Sequence, residues 1–393
     1  MTSGAAGLLR RPGEPQATFL ELFFDLVFVF ALVSLSHKLL DDLTWKGALQ
    51  TLVLLLALWL VWIHTAGFTD RLDSEHRVIQ VLVVATMFGT LVMAAALPEA
   101  FGEQGLFFAG AYVVTQVGRT AVVVLLLRGH EAGVAFARSL FWSGVSAVPW
   151  IAGALVPGTT REVLWVLAVA AEAIALALGV PTPRLGRAYM RVAEYAISGA
   201  HQAERYRQIF IIALGEPILV TGLALSRSSL EFDRVAAGVV AFATTALLWW
   251  IYIHRAGALL AQALAAASDP VRALIWSLYA HLTMIAGIVA IAVGVELVIE
   301  HPFGHAQPAW IAVMLAGPAL FLAGRGMFEY GVFGRVSRSR VIGVLLLAAI
   351  APAVTLLPPM AVALAPVLVL AGIAVADAIR ARGRPPEAPS PPH

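Results

Sequence analysis

Residues 19–37 read FLELFFDLVFVFALVSLSH and carry two acidic side chains, Glu21 and Asp25, in an otherwise mostly apolar run. A helix needs about 20 predominantly apolar residues to cross the hydrocarbon core of a bilayer. This stretch therefore predicts a transmembrane helix. Stretches of similar length and composition recur along the chain.

The overall composition leads to the same conclusion. Of the 393 residues, 60% are hydrophobic and 13% are charged, and the mean hydropathy is +0.86. Soluble domains average about 25% charged residues, so this chain has too few ionic side chains for a surface in water. It contains no cysteine, which excludes disulfides, thiolate metal sites and cysteine nucleophiles.

We predict an all-α fold, a polytopic membrane helix bundle of about twelve transmembrane helices. The predicted spans are residues 19–37, 47–68, 78–97, 106–127, 137–156, 162–180, 207–225, 236–254, 272–300, 308–333, 341–357 and 361–379. A very short connection at Pro358 and Pro359 joins the last two, where a re-entrant hairpin is the alternative.

The basic residues favour one orientation of this topology. Of the 26 Lys and Arg residues, all but seven lie in the termini or beside loops that follow even-numbered spans. The exceptions are Lys38, Lys46, Arg161, Arg227 and Arg234 in the opposite loops, with Arg119 and Arg325 inside spans. Because positive charge is retained on the cytoplasmic side, we expect a multi-pass protein of the bacterial cell (inner) membrane with both termini inside.

Short matches in a constant order predict an internal duplication. His64 corresponds to His254, and Gly118-Arg119 to Gly324-Arg325. We therefore predict a parallel six-plus-six repeat, as in some transporters. The predicted regions are a cytoplasmic N-terminus at 1–18, a first repeat at 19–180, a basic amphipathic cytoplasmic linker at 181–206, a second repeat at 207–379 and a disordered Pro-rich tail at 380–393.

Four carboxylates are candidate proton-carrying or catalytic groups, because ionisable side chains inside spans are costly. Glu21 and Asp25 lie one helical turn apart on one face, although Glu21 could simply interact with the helix N-terminus. Glu204 opens span 7, and Glu216 precedes Pro217, which removes a backbone hydrogen bond and predicts a broken helix. Further, less distinctive acids are Glu172, Glu296, Glu329 and Asp377.

Two arginines lie about halfway along spans and are candidate substrate-binding residues. Neither Arg119 nor Arg325 can lose its charge, so each requires an acid, carbonyl groups or an anionic ligand. The simplest arrangement pairs them with the acids of spans 1 and 7, and internal structural salt bridges are the alternative. His64 and His254 are further candidates, although a lone membrane histidine is more often a hydrogen-bonded packing residue.

The loop after span 2 contains a dense mixture of charges. Asp70, Asp73 and Glu75 would be able to hold Mg²⁺, and Arg71 and Arg77 a diphosphate. Short mixed-charge loops are also ordinary features of membrane proteins.

The residues Leu20-Glu21-Leu-Phe-Phe-Asp25 through Ala31, and Glu204-Arg205 through Ile212-Ala213-Leu214-Gly215-Glu216, resemble the low temperature requirement A (LtrA) family of bacterial membrane proteins. The Asp70-Arg71-Leu-Asp73 loop and Gly118-Arg119 are similar to that family as well. The resemblance covers essentially the whole membrane region. It implies a multi-pass bacterial membrane protein and specifies no reaction.

Three functional hypotheses follow. The first is a transporter, proton-coupled, that moves a small organic anion or amphiphile. The second is a Mg²⁺-dependent membrane enzyme acting on isoprenoid or lipid diphosphates, of the prenyltransferase or terpene cyclase type. The third is a non-catalytic envelope stress protein. The expected partners are the lipid bilayer and a small-molecule substrate; nothing indicates nucleic-acid binding, and the oligomeric state stays open.

Overall fold

The computed structural model describes residues 7–10, 17–186, 199–227, 231–253, 257–382 and 387–392. Within these ranges the chain is helical, and its β-structure is limited to two isolated bridges, Leu9 with Leu72 and Thr182 with Gly186. The fold class predicted from hydropathy is therefore confirmed at the level of an all-helical protein.

Thirteen helices are present in the described residues, numbered here in chain order. They are α1 Phe19–Asp41, α2 Trp45–Arg71, α3 Arg77–Ala96, α4 Gly105–Leu126, α5 Ala132–Leu155, α6 Thr159–Ala177, α7 Gly199–Arg227, α8 Phe232–Tyr252, α9 Ala258–Ala266, α10 Pro270–Glu300, α11 Pro308–Phe333, α12 Arg338–Ile350 and α13 Pro359–Ala381.

Nine of these described helices are long and apolar enough to cross a membrane, namely α1 to α4, α7, α8, α10, α11 and α13. The other three predicted spans fall on helices with different properties. Helix α5 includes Arg138 and Pro149, α6 carries Arg161, Glu162 and Glu172, and α12 has only 13 residues. A multi-pass helical membrane protein is supported, and the count of twelve stays a prediction.

The chain divides into two compact units. The first unit comprises residues 1–38 and 46–202, and the second comprises 39–45 and 203–393. In the first unit, α5 and α6 form an antiparallel pair around Trp150 and Trp165, whose ring centroids are 5.0 Å apart. A Cβ at Gly153 would lie 2.6 Å from the Trp165 ring, so only glycine lets the two helices approach this closely.

In the second unit, α10 and α11 pack backbone against backbone. A Cβ at Gly287 would lie 2.6 Å from the Phe321 amide nitrogen, and one at Gly324 would lie 2.7 Å from the Ala280 carbonyl oxygen. Small residues at matching positions are the usual means of close helix packing in lipid. The next residue after Gly324 is Arg325, which is fully buried.

Large apolar side chains cover much of the exposed surface. Phe19, Trp45 and Phe232 are each more than nine-tenths exposed, and aromatic and branched aliphatic side chains are exposed along most of the long helices. Large exposed apolar areas are unusual for soluble monomers. They are expected where lipid replaces water around the protein.

Candidate functional site

The first unit contains a buried group of polar side chains that we call the Arg119 cluster. It comprises His64 and Thr65 from α2, Tyr112, Gln116 and Arg119 from α4, Ser146 from α5 and Glu172 from α6. All of these are buried except His64, whose side chain is 27% exposed. His64 therefore has the most exposed side chain of the cluster.

A change of helix type places Arg119 in this cluster. Helix α4 contains a π-helical turn at Val114–Gly118, and Arg119 follows it directly. Such turns shift the following side chains around the helix axis and frequently occur at functional sites. Gly89 of α3 provides the necessary space, because a Cβ there would overlap the Thr115 hydroxyl of the π-helical turn.

The hydrogen-bond partners of Arg119 are neutral. Its Nη1 donates to Thr65 Oγ1 at 2.5 Å, and its Nη2 donates to Gln116 Oε1 at 2.8 Å. Its guanidinium carbon lies 5.8 Å from the centre of the Phe68 ring. Arg119 is only 5% exposed, and in the described part of the chain it makes no ion pair. This buried cation is thus hydrogen-bonded without a directly contacting anion.

Glu172 supplies the acidic group of the cluster. Its Oε1 accepts hydrogen bonds from Tyr112 Oη, at 2.8 Å, and from Ser146 Oγ. Its Oε2 lies 3.9 Å from His64 Nδ1. The charges of Glu172 and Arg119 interact across the cluster. A guanidinium and a carboxylate therefore share one buried space.

The simplest arrangement predicted from the sequence pairs the acids of span 1 with the buried arginines. In the structure, Asp25 does not contact Arg119. It accepts a hydrogen bond from Trp62 Nε1 at 2.9 Å. Trp62 precedes Thr65 by one helical turn on α2, so Asp25 meets α2 beside the Arg119 cluster instead of within it. The acid whose charge acts on Arg119 is Glu172, one of the less distinctive acids of the sequence analysis.

A second group in the same unit, the acid–histidine cluster, joins four distant chain segments. His201 Nδ1 lies 2.9 Å from Asp70 Oδ1, and His201 Nε2 lies 3.0 Å from Glu21 Oε1. Arg10 Nη1 lies 2.9 Å from His201 Nε2 and 4.0 Å from Glu21 Oε1. Glu21 and His201 are both fully buried. This arrangement connects two regions that the sequence treated as separate candidates, the start of α1 and the loop after α2.

Glu21 has a role at the N-terminus of α1 as well. Its Oε2 accepts the backbone N–H of Thr18 at 2.7 Å, and Thr18 Oγ1 accepts the backbone N–H of Glu21 at 3.4 Å. This is the reciprocal capping arrangement of a Thr-x-x-Glu sequence. Glu21 and Asp25, although one turn apart, therefore reach different partners.

The remaining charges of the loop at 70–77 do not gather around Asp70. Arg71 Nη1 donates to the Gly67 carbonyl oxygen at 2.7 Å, and Asp73 Oδ1 accepts the backbone N–H of Glu75 at 2.9 Å. Glu75 and Arg77 are exposed. Across the described residues, no group of three or more His, Asp or Glu side chains is arranged to hold a metal ion. The Mg²⁺ and diphosphate roles stay predictions.

Arg325 belongs to a network of charges in the second unit. Its Nε donates to the Ile251 carbonyl oxygen at 3.0 Å, and its Nη1 lies 3.5 Å from Glu329 Oε1. Arg340 Nη2 contacts Glu329 Oε1 at 3.2 Å and Asp377 Oδ2 at 2.5 Å. Arg325 thus has a carboxylate neighbour from its own helix.

Helix α7 carries Glu204, Glu216 and Pro217. Glu204 is half-buried and Glu216 is fully buried. The predicted break at Pro217 is wrong, because α7 continues through it from Gly199 to Arg227. Membrane helices tolerate proline where neighbouring groups satisfy the backbone carbonyl that it frees. His254 lies outside the described residues, as do residues 187–198 of the predicted linker.

Sequence reasoning ranked Glu172 among the less distinctive acids and did not single out six other residues of these clusters: Arg10, Thr65, Tyr112, Gln116, Ser146 and His201. Glu172 was visible as an acid in an apolar helix, and Tyr112 precedes Gln116 by one turn and Arg119 by two. His201 was placed in the predicted linker, whereas it lies in the first turn of α7 and is fully buried. No local pattern indicates its contact with Asp70, which is 131 positions away in the chain.

These buried charges and the lipid-compatible surface define a multi-pass helical membrane protein. Comparison with known families gives the particular group: residues 16–375 match the model of the bacterial low temperature requirement A protein (LtrA). The chain belongs to this family. An uncharacterized protein of Rhizobium meliloti (strain 1021) is 38% identical over 341 residues, which cover 86% of this chain and 82% of the relative. No solved structure matches.

Proposed function

We propose that this protein is a proton-coupled transporter that moves a small organic anion through the bacterial cell membrane, with both termini in the cytoplasm. The observation that carries the proposal is Arg119, a buried guanidinium whose hydrogen-bond partners are neutral. An arginine near the middle of a membrane helix costs about 2.5–3.5 kcal/mol on insertion scales. A binding role gives a reason for keeping it there.

The surroundings of Arg119 suit a carboxylate or another small oxyanion. A guanidinium has five N–H donors in a fixed planar fork, and Thr65 and Gln116 each accept one bond from it in the described structure. The rest of the fork provides donors for a bidentate anion. The partly exposed His64 marks the approach, and the π-helical turn supplies a local irregularity that can change between loaded and empty states.

The test is uptake by proteoliposomes containing the purified full-length chain under an imposed pH gradient. A panel of radiolabelled mono-, di- and tricarboxylates such as lactate, malate and citrate supplies the probes. We expect wild-type protein to accumulate at least one member, and Arg119→Gln to lower its uptake by at least tenfold. The matched control is Arg128→Gln, because Arg128 is exposed just beyond the end of α4 and should be dispensable.

Two results would contradict this function. One is wild-type protein that moves no member of the panel in either direction of the pH gradient. The other is Arg119→Gln transporting as well as the wild type and Arg128→Gln. Arg119→Lys is informative alongside them, because it keeps the charge but loses the planar fork, and should retain weak uptake.

A further inference from the structure

The hydrogen-bond directions in the Arg119 cluster determine the state of His64. Arg119 has donors only, so the Gln116 side-chain atom that it contacts is the carbonyl oxygen Oε1. The amide nitrogen Nε2 of Gln116 then points to His64 Nδ1, 2.6 Å away. An amide nitrogen only donates. His64 Nδ1 must therefore accept, and the imidazole ring is neutral.

This assignment changes the meaning of the contact between His64 and Glu172. The 3.9 Å separation of Nδ1 and Oε2 is not an ion pair, because the facing nitrogen is an uncharged acceptor. Glu172 Oε2 is buried and makes no hydrogen bond among the described residues. The nearby cation that acts on Glu172 is thus Arg119.

The other oxygen of Glu172 has a partner suited to two protonation states. Ser146 has one hydroxyl proton and two acceptors in reach, Glu172 Oε1 and the Ser143 carbonyl oxygen at 3.1 Å. With Glu172 ionised, Ser146 donates to Oε1. With a proton on Oε1, Glu172 donates to Ser146 Oγ, and Ser146 donates to the Ser143 carbonyl oxygen. Rotation of the Ser146 hydroxyl therefore satisfies the hydrogen bonds of both the ionised and the protonated form of Glu172.

Other ionisable or charged groups act on Glu172 from two helices. They are His64 of α2, and Tyr112 and Arg119 of α4. Its own helix α6 also carries Arg161 and Glu162, which have other partners. Arg161 donates to backbone carbonyl groups, including those of Ala100 and Gly153, and Glu162 pairs with Lys46. The charge balance of the cluster is therefore set by Arg119 and Glu172.

We propose that Glu172 takes up one proton for each monovalent anion that binds at Arg119. The empty cluster is neutral, with one guanidinium and one carboxylate. A bound anion adds one negative charge, and a proton placed on Glu172 Oε1 removes it again, so the loaded cluster is neutral as well. This inference rests on the proposed transport function and adds to it the coupling residue and a stoichiometry of one proton per monovalent anion.

The experiment uses the panel anion that wild-type protein takes up most. It compares two kinds of transport of this anion, accumulation and exchange. Accumulation against a gradient requires the proton, whereas exchange of labelled for unlabelled anion does not. With Glu172→Gln, which stays neutral at every pH, we expect exchange within threefold of wild type and loss of pH-driven accumulation. Glu162→Gln on the same helix is the matched control and should keep both activities.

The outcomes separate the two proposals. Full pH-driven accumulation by Glu172→Gln would overturn the coupling role while leaving the transport function intact. Absence of any wild-type flux would instead contradict the transport function. A third measurement does not need a variant at Glu172: in infrared difference spectra of the wild type, the chosen anion should produce a protonated-carboxyl band that Arg119→Gln lacks. An identical spectrum with and without the anion would also overturn the coupling role.

Discussion

Replacing Arg119 by methionine distinguishes a ligand-binding arginine from a structural one. Methionine has a similar length and fills irregular apolar space, so the substitution removes the charge with little change in packing. For a structural ion pair, removal of one partner strands a buried charge and costs about 3–5 kcal/mol. Arg119 makes no ion pair within the described residues, so we expect a different result.

The balance for Arg119→Met follows from two opposing contributions. Losing the hydrogen bonds to Thr65 and Gln116 costs about 1 kcal/mol in total, since such bonds in membrane proteins average about 0.6 kcal/mol each. Removing a central guanidinium gains about 2.5–3.5 kcal/mol on insertion scales. Glu172 loses its nearby cation and can take a proton, which offsets part of that gain. The variant should therefore be as stable as the wild type or more stable by about 1–2 kcal/mol.

The assay is reversible unfolding in lipid bicelles, run in parallel with anion uptake. Arg340→Met is the comparison, because Arg340 contacts both Glu329 and Asp377 in the buried interior of the second unit. It should destabilise by about 3–5 kcal/mol. The reasoning fails if Arg119→Met costs as much as Arg340→Met, or if Arg119→Met keeps its uptake.

Three further substitutions test the surroundings of these clusters. Gly89→Ala should displace the π-helical turn through Thr115, which lowers the free energy of unfolding by about 1–3 kcal/mol and lowers uptake. The control Gly144→Ala lies in open space and should change neither. Equal melting temperatures of the two variants would count against the contact between Gly89 and Thr115. Gly287→Ala should lower the free energy of unfolding by a similar amount, because the added Cβ forces α10 and α11 apart. An unfolding midpoint equal to that of the wild type would argue against close backbone packing. His201→Ala should lower the free energy of unfolding by about 3 kcal/mol or more, because it leaves the buried carboxylates of Glu21 and Asp70 without their histidine partner. It should also speed proteolysis at residues 7–10, whereas the control His305→Ala, at an exposed position, should change neither. An unaltered cleavage rate of the His201→Ala variant would be the contrary result.

The positions of the long helices were largely predictable from hydropathy and from turn residues. The span predicted at 308–333 agrees with α11, Pro308–Phe333. Proline fits the first helical turn, and Gly334 ends the helix with a left-handed φ of 63°. Both signals can be read from the local sequence. Helix α9 was not predicted, because nine residues are too few for a recognisable span.

The buried clusters were less predictable, for two physical reasons. A histidine that contacts an acid 131 positions away leaves no local pattern. The π-helical turn at Val114–Gly118 depends on the space above Gly89 of a neighbouring helix, whereas the proline at 217, a strong local signal, lies in an uninterrupted helix. Local rules indicated which charges are buried in the membrane region, but not which of them meet.

The different partners of Arg119 and Arg325 bear on the predicted duplication. If the two Gly-Arg pairs descend from one ancestral helix, each arginine inherited the same burial cost. In the second unit, Glu329 follows Arg325 by one turn on the same helix and lies 3.5 Å from it. The corresponding position one turn after Arg119 is Val123, and the acid that acts on Arg119 comes from α6 instead. An acid on the same helix moves with its arginine, whereas an acid on another helix can separate from it when a ligand enters. Under the proposed transport function, this difference favours Arg119 of the first unit as the residue that exchanges an anion.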